Sequence, residues 1–253
     1  MQLQYRAAAA AAFFTNFFFG FVRVMVFQTF YATSTILQPL SLEQAVTYTW
    51  LSQVTFRMQP WNTDAEIMAM IRSGNVAYEL YRPLHIYFVW YWRLVAMRFV
   101  PTLLTGVPIL VIGLCLPSTF RIGLPPSVAA AAAAVLSISL ALFLACALSS
   151  LIEVSTLWTT AGDGMQRIFP AVVMVLSGSI IPLAYFPDWA QVPLRLLPFS
   201  GLVDIPLQFY IGTLPASNVL FLGFLQLAWT FLFIFLGVRL LILGMKRVII
   251  QGG

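Results

Sequence analysis

The chain has 253 residues, of which 61% are hydrophobic and only 8% charged, and its formal net charge is +5. A soluble domain carries about 25% charged residues, so this composition excludes a fold that coats itself for water. The positive balance suits anionic lipid and basic cytoplasmic loops. No basic cluster interleaved with aromatics lies outside the apolar runs, which argues against a nucleic-acid partner.

A membrane-crossing helix needs roughly 20 apolar residues. The first such run is 13–37, too long for a cleavable signal peptide, carrying Arg23 and lacking a clean small-residue cleavage site. A second, more polar span is predicted over 42–61, with Glu43, Gln44, Gln53 and Arg57 inside it. The third lies within 84–116, which is too long for one straight crossing. Its aromatic and basic start (Tyr87, Trp90, Tyr91, Trp92, Arg93, Arg98) reads as an interfacial or protruding segment. The fourth, 128–152, follows Pro125-Pro126, and its alanine run and Ser137, Ser139, Ser149 and Ser150 offer small faces for close packing. The fifth is 168–186 and the sixth 219–243. Between them, 187–217 is apolar but broken by Pro187, Pro193, Pro198, Pro206 and Pro215. So many prolines do not fit one helix; two short helices dipping back into the outer leaflet, covered by other protein, are predicted instead. The fold class is therefore an all-α integral membrane protein with six transmembrane helices, forming one domain over 1–253.

Charge sets the expected orientation. With the N-terminus inside, Arg6, Arg57, Arg72, Arg82, Arg167, Arg239, Lys246 and Arg247 fall on one side and only Arg121 and Arg195 on the other. The positive-inside rule then puts both termini of this multi-pass protein in the cytoplasm, with the chain in the plasma (inner) membrane. Glu153 and Asp163 flank a short cytoplasmic turn and read as solvated loop charges, or else as contacts for a partner. Arg23, inside the first span, is a candidate for a translocation path; a snorkelling or helix-pairing role is the alternative.

The longest polar stretch, 62–83, is cytoplasmic in this topology. Asn62 or Thr63 can cap a helix there, and Asp64 and Glu66 suit its positive first turn. Ile67, Met70 and Ile71 form one apolar face at helical spacing. Ser73-Gly74-Asn75 ends the helix, and a second short turn carries Glu79 before Arg82-Pro83. Such a helix either lies flat on the headgroups or docks on a cytoplasmic partner. Its acids favour docking, because anionic lipid repels them.

These residues also carry a resemblance. IRSGNVAYELYRPL (71–84), YRAAAAAAFFTNFFFG (5–20), SLEQAVTYTWLSQ (41–53), FPDW (186–189), LPFSGLVDIPLQFYIG (197–212) and RVIIQGG (247–253) resemble ABC-2 type transporter permeases. The closest likeness is to the viologen-exporter-like subgroup, in which two permeases accompany one ATPase. His85 departs from the pattern, standing where an acidic residue is expected. The resemblance implies a coupling helix between spans two and three and short outer helices between spans five and six. It further implies an exporter in which two permeases, different or identical, are bound to two copies of a cytoplasmic ABC ATPase. Residues expected at that ATPase interface are Asp64, Glu66, Ile67, Met70, Ile71, Arg72, Asn75, Glu79 and Arg82. Within it, Ile67, Met70 and Ile71 are the expected buried anchor.

No GxxxxGK[ST] loop is present to cradle phosphate, so ATP and Mg are expected on the partner ATPase, with no cofactor in this chain and no catalytic residue of its own. HExxH and GxSxG are missing as well, and the one histidine, His85, reads as structural. Cys115 and Cys146 lie in apolar runs without a CxxC pattern and read as small buried residues. Two other classes compete: a lipid-modifying membrane enzyme, which should cluster acids or histidines at a span's end, and a membrane scaffold that only recruits a partner. The abundant aromatics could line a path for flat or cationic apolar molecules, and interfacial belts explain them equally well.

Overall fold

The computed structural model describes residues 2–61, 63–73, 85–158 and 163–245. They form helices α1 (Gln2–Thr33), α2 (Leu42–Val54), α3 (Ala65–Ser73), α4 (Ile86–Cys115), α5 (Val128–Ser155), α6 (Asp163–Leu176), α7 (Asp188–Leu196), α8 (Asp204–Tyr210) and α9 (Val219–Met245). No strand occurs among the described residues.

Among the described residues, four helical stretches are long and apolar enough to cross a membrane: Ala10–Thr33, Ile86–Cys115, Val128–Ser155 and Ala216–Met245. The two other predicted spans are shorter as helices than the sequence suggests. The 13 residues of α2 rise about 20 Å and the 14 of α6 about 21 Å, against a hydrocarbon core of about 30 Å. α2 is started by a capping box: Ser41 Oγ accepts from Gln44 N–H at 3.2 Å, and Gln44 Oε1 accepts from Ser41 N–H at 2.9 Å. It runs into a 3₁₀ turn at Phe56–Met58. Every residue from Ala45 to Gln53 is buried, so α2 is enclosed by protein. That explains the polarity of the run: Thr47 accepts from Gly123 N–H, Ser52 and Gln53 meet Arg23 of α1, and Thr49 bonds back to Ala45 O. α6 stops at Leu176 because Gly178 then adopts φ +77° and turns the chain.

α5 is the central helix. Ser127 caps it, its Oγ accepting from Ala130 N–H at 3.1 Å. Its small residues let α4, α8 and α9 approach. Against α9, Gln226 accepts from Ser137 Oγ at 3.1 Å and donates to Ser137 O at 3.1 Å and Gly201 O at 2.7 Å. Farther along α9, a Cβ at Gly237 would sit 2.5 Å from the Tyr87 ring, so only glycine lets α4 close on it. The segment 187–217 does carry two short helices, α7 and α8, and α8 is buried almost throughout. One end of the bundle gathers the start of α4, the end of α5 and the end of α9, with Trp158 Nε1 donating to Leu240 O at 3.4 Å. α3 sits at this end.

Candidate functional site: a helix seated on two spans

α3 begins with its own cap. Asp64 Oδ1 accepts from the N–H of Glu66 at 2.9 Å and of Ile67 at 3.4 Å, two of the donors that a helix start leaves orphaned. The cap is thus Asp64 rather than Thr63, and Asn62 lies outside the described residues. The other Asp64 oxygen accepts from Arg93 Nε on α4 at 2.5 Å. Arg93 also bonds Glu66 Oε2 through its second nitrogen. Asp64's own backbone N–H donates to Glu153 Oε1, from the last turn of α5, at 2.6 Å. Thr156, just past α5, directs Oγ1 at Met68 Sδ, 3.8 Å away. One short helix is thereby held by a guanidinium from α4 and a carboxylate from α5.

This geometry revises several expectations from the sequence. Asp64 is buried, and its carboxylate is bonded within this chain to Arg93 and to the start of α3. Ile67 is 0% exposed and Ile71 is buried, packed with Met58, Tyr87, Tyr91 and Leu94 in the core of this same chain. Both side chains therefore face the core of this chain. Met70 is half-buried, and Glu66 keeps a side chain 69% exposed. The outward face is therefore Ala65, Glu66, Ala69, Met70 and Ser73. Arg72 belongs to α3, while Asn75, Glu79 and Arg82 lie outside the described residues. Glu153, read from sequence as a solvated loop charge, is fully buried. Arg93 and Glu153 were missed as site residues. The available signal was an Arg and a Glu each within a turn or two of a span's polar end, which sequence alone assigns to solvent.

A second polar cluster holds the turn after α6. Arg23 on α1 donates to the carbonyls of Ser179 at 2.7 Å and Ile180 at 2.6 Å, and to Ser52 Oγ on α2 at 3.1 Å. The Gln53 amide, with its oxygen toward Arg23, accepts at 2.9 Å and passes its N–H to Asn16 O at 3.3 Å. From α8, Asp204 Oδ1 accepts from Leu183 N–H at 3.0 Å and from Tyr48 Oη at 3.0 Å, while Gln208 donates to Oδ2 at 2.5 Å. Burial pushes the Asp204 carboxyl up to about 6, against the pull of those donors and of the Arg195 charge. Arg23 thus ties α1 and α2 to a helix break. One of its terminal nitrogens serves two backbone carbonyls and the other the Ser52 hydroxyl and the Gln53 amide oxygen.

A family model described as ABC-2 family transporter protein matches residues 17–252. The chain belongs to the ABC-2 transporter family. Its members are membrane components of ABC transporters, not themselves catalytic, and they work with an ABC ATPase. No characterised protein and no solved structure matches the chain. Among the described residues, α3 is the short helix that is clamped by charge to two of the long ones, α4 and α5.

Proposed function

We propose that this chain is the permease subunit of an ATP-driven exporter and that α3 is its coupling helix. The observation that carries the reading is the clamp on α3. A nine-residue helix at one end of the bundle is fixed to α4 and α5 by charge-assisted bonds, while Ala65, Glu66 and Ala69 on its outward face are exposed. The basic residues that flank the spans collect at that same end under the positive-inside assignment, which makes it cytoplasmic. The bundle then has six crossings, α2 and α6 completing theirs through the turns that follow them. α7 and α8 lie toward the outer leaflet. Two permeases, different or identical, pair over two copies of the ATPase, which binds ATP and Mg. Closure of the ATPases pushes the two α3 helices together and rocks the pair between inward- and outward-open states, and the substrate leaves between the subunits.

The contact is made by Ala65, Glu66, Ala69, Met70 and Ser73. Small residues at Ala65 and Ala69 let a partner groove close on the helix backbone. The test is recovery of the ATPase with the tagged permease from native membranes. Ala65→Arg with Ala69→Arg, both on the outward face, should abolish recovery and leave the permease's thermal unfolding unchanged. Ile67→Asp should instead unseat α3 and lower the unfolding temperature, because an unpaired charge enters the core. An ATP-responsive complex recovered intact from the double arginine variant would put this face on lipid and remove the coupling assignment.

A further inference from the structure

Glu153 stands at the wrong end of its own helix. A carboxylate in the last turn of α5 meets the negative end of that helix's dipole, and α5 has no basic residue there to offset it. The same carboxylate stands at the right end of α3, on the N–H of Asp64 and facing the helix's positive start. It is fully buried, and its second oxygen has no hydrogen-bond partner among the described residues. Burying a carboxylate is costly, and a serine or asparagine could accept one N–H at far lower cost. What the glutamate adds over those is reach, spanning from α5 to the first turn of α3 with a bond of 2.6 Å.

We propose that Glu153 is the positioning residue that makes α3 and α5 move as one body, so that a push on α3 is delivered to the centre of the bundle. This rests on the reading of α3 as the coupling helix. Beside the Thr156–Met68 contact and the apolar packing of Ile67 and Ile71, two charged groups reach α3, and they differ. Arg93 reaches it by a side chain that is 40% exposed, through carboxylates, from α4, which is less buried along its length than α5. Glu153 reaches its backbone directly, in a buried setting, from the helix that packs on α4, α8 and α9. α8 carries Asp204, which with Arg23 holds the turn after α6. A displacement of the α5 end therefore has a packed route to that turn.

The experiment uses the full permease with its co-purifying ATPase in lipid nanodiscs. Spin labels are placed at Ser73→Cys on α3 and Ser139→Cys on α5, with the exposed Cys115 replaced by Ser. In the wild-type background the α3–α5 distance distribution should be narrow and the same with and without ATP. A second pair, with Ser73→Cys on each permease, should report ATP-driven approach. Glu153→Ala should at least double the width of the α3–α5 distribution, while ATP-driven approach of the two α3 helices persists. Glu153→Asp keeps the charge but is one methylene too short for the 2.6 Å bond, so it should behave like Ala. It serves also if the alanine variant does not fold. Glu153→Gln keeps the reach and an acceptor oxygen, and should restore the narrow distribution. Wild-type width in Glu153→Asp, or no rescue by Gln, overturns the role of Glu153. No ATP response at α3 in the wild-type complex overturns the coupling reading itself.

Discussion

Replacing Arg23 by alanine separates a structural role from a place in the translocation path. The guanidinium supplies the carbonyls of Ser179 and Ile180 with bonds of 2.7 and 2.6 Å. A hydrogen bond to a charged group contributes about 1.5–3 kcal/mol, so the two together set an upper bound of roughly 3–6 kcal/mol. Ile180 is 39% exposed, so its carbonyl can recover part of its bonding elsewhere. The expected loss is then about 2–4 kcal/mol. For a chain of this size that lowers the unfolding midpoint by roughly 5–15 °C. Lysine at this position offers one compact ammonium in place of a fork, so Arg23→Lys should fall between the two. The assay is thermal unfolding of the purified chain in a single detergent, followed by circular dichroism. A midpoint for Arg23→Ala within about 2 °C of wild type, below the shift expected for one lost kcal/mol, would refute the argument. Paired with lost transport, it would return Arg23 to the substrate path.

Three further outcomes are expected. Gly178→Ala forces an L-residue to φ +77° and puts its Cβ 2.7 Å from Tyr48 Oη, so it should cost at least about 1–2 kcal/mol in the same melt. Asp204 has a folded carboxyl raised to about 6 from an ordinary 3.8. The proton is therefore held more tightly when folded, and the stabilisation, fully present below pH about 4, is lost as pH rises through about 6. Wild type should accordingly gain about 1 kcal/mol relative to Asp204→Asn between pH about 7 and 5; parallel curves would count against it. For orientation, a cysteine at Asp188 should react with an impermeant thiol reagent in intact cells, in a background lacking Cys115, and one at Lys246 should not. The reverse pattern would invert the topology.

Residue composition alone was enough to require a membrane, because so few charges cannot cover a water-facing surface. The four long helices were legible for the same reason: about 20 apolar residues in a row have few other places to go. Capping chemistry at Ser41 and the proline breaks of 187–217 were legible too, since both act over a few residues. The ABC-2 resemblance rests on continuous stretches and needed no contacts. What tertiary structure decided is where each polar group finds its partner. Periodicity marks Ile67 and Ile71 as one apolar face but does not say whose surface that face meets, and the core of this chain takes it. The bond from Asp64 to Glu153 joins residues 89 apart, and that from Arg23 to Ser179 joins residues 156 apart. No local pattern encodes such a pairing. In a low-dielectric interior a charge is tolerable only where distant segments converge to satisfy it, and that convergence turns Glu153 from an apparent loop charge into the link between α3 and α5.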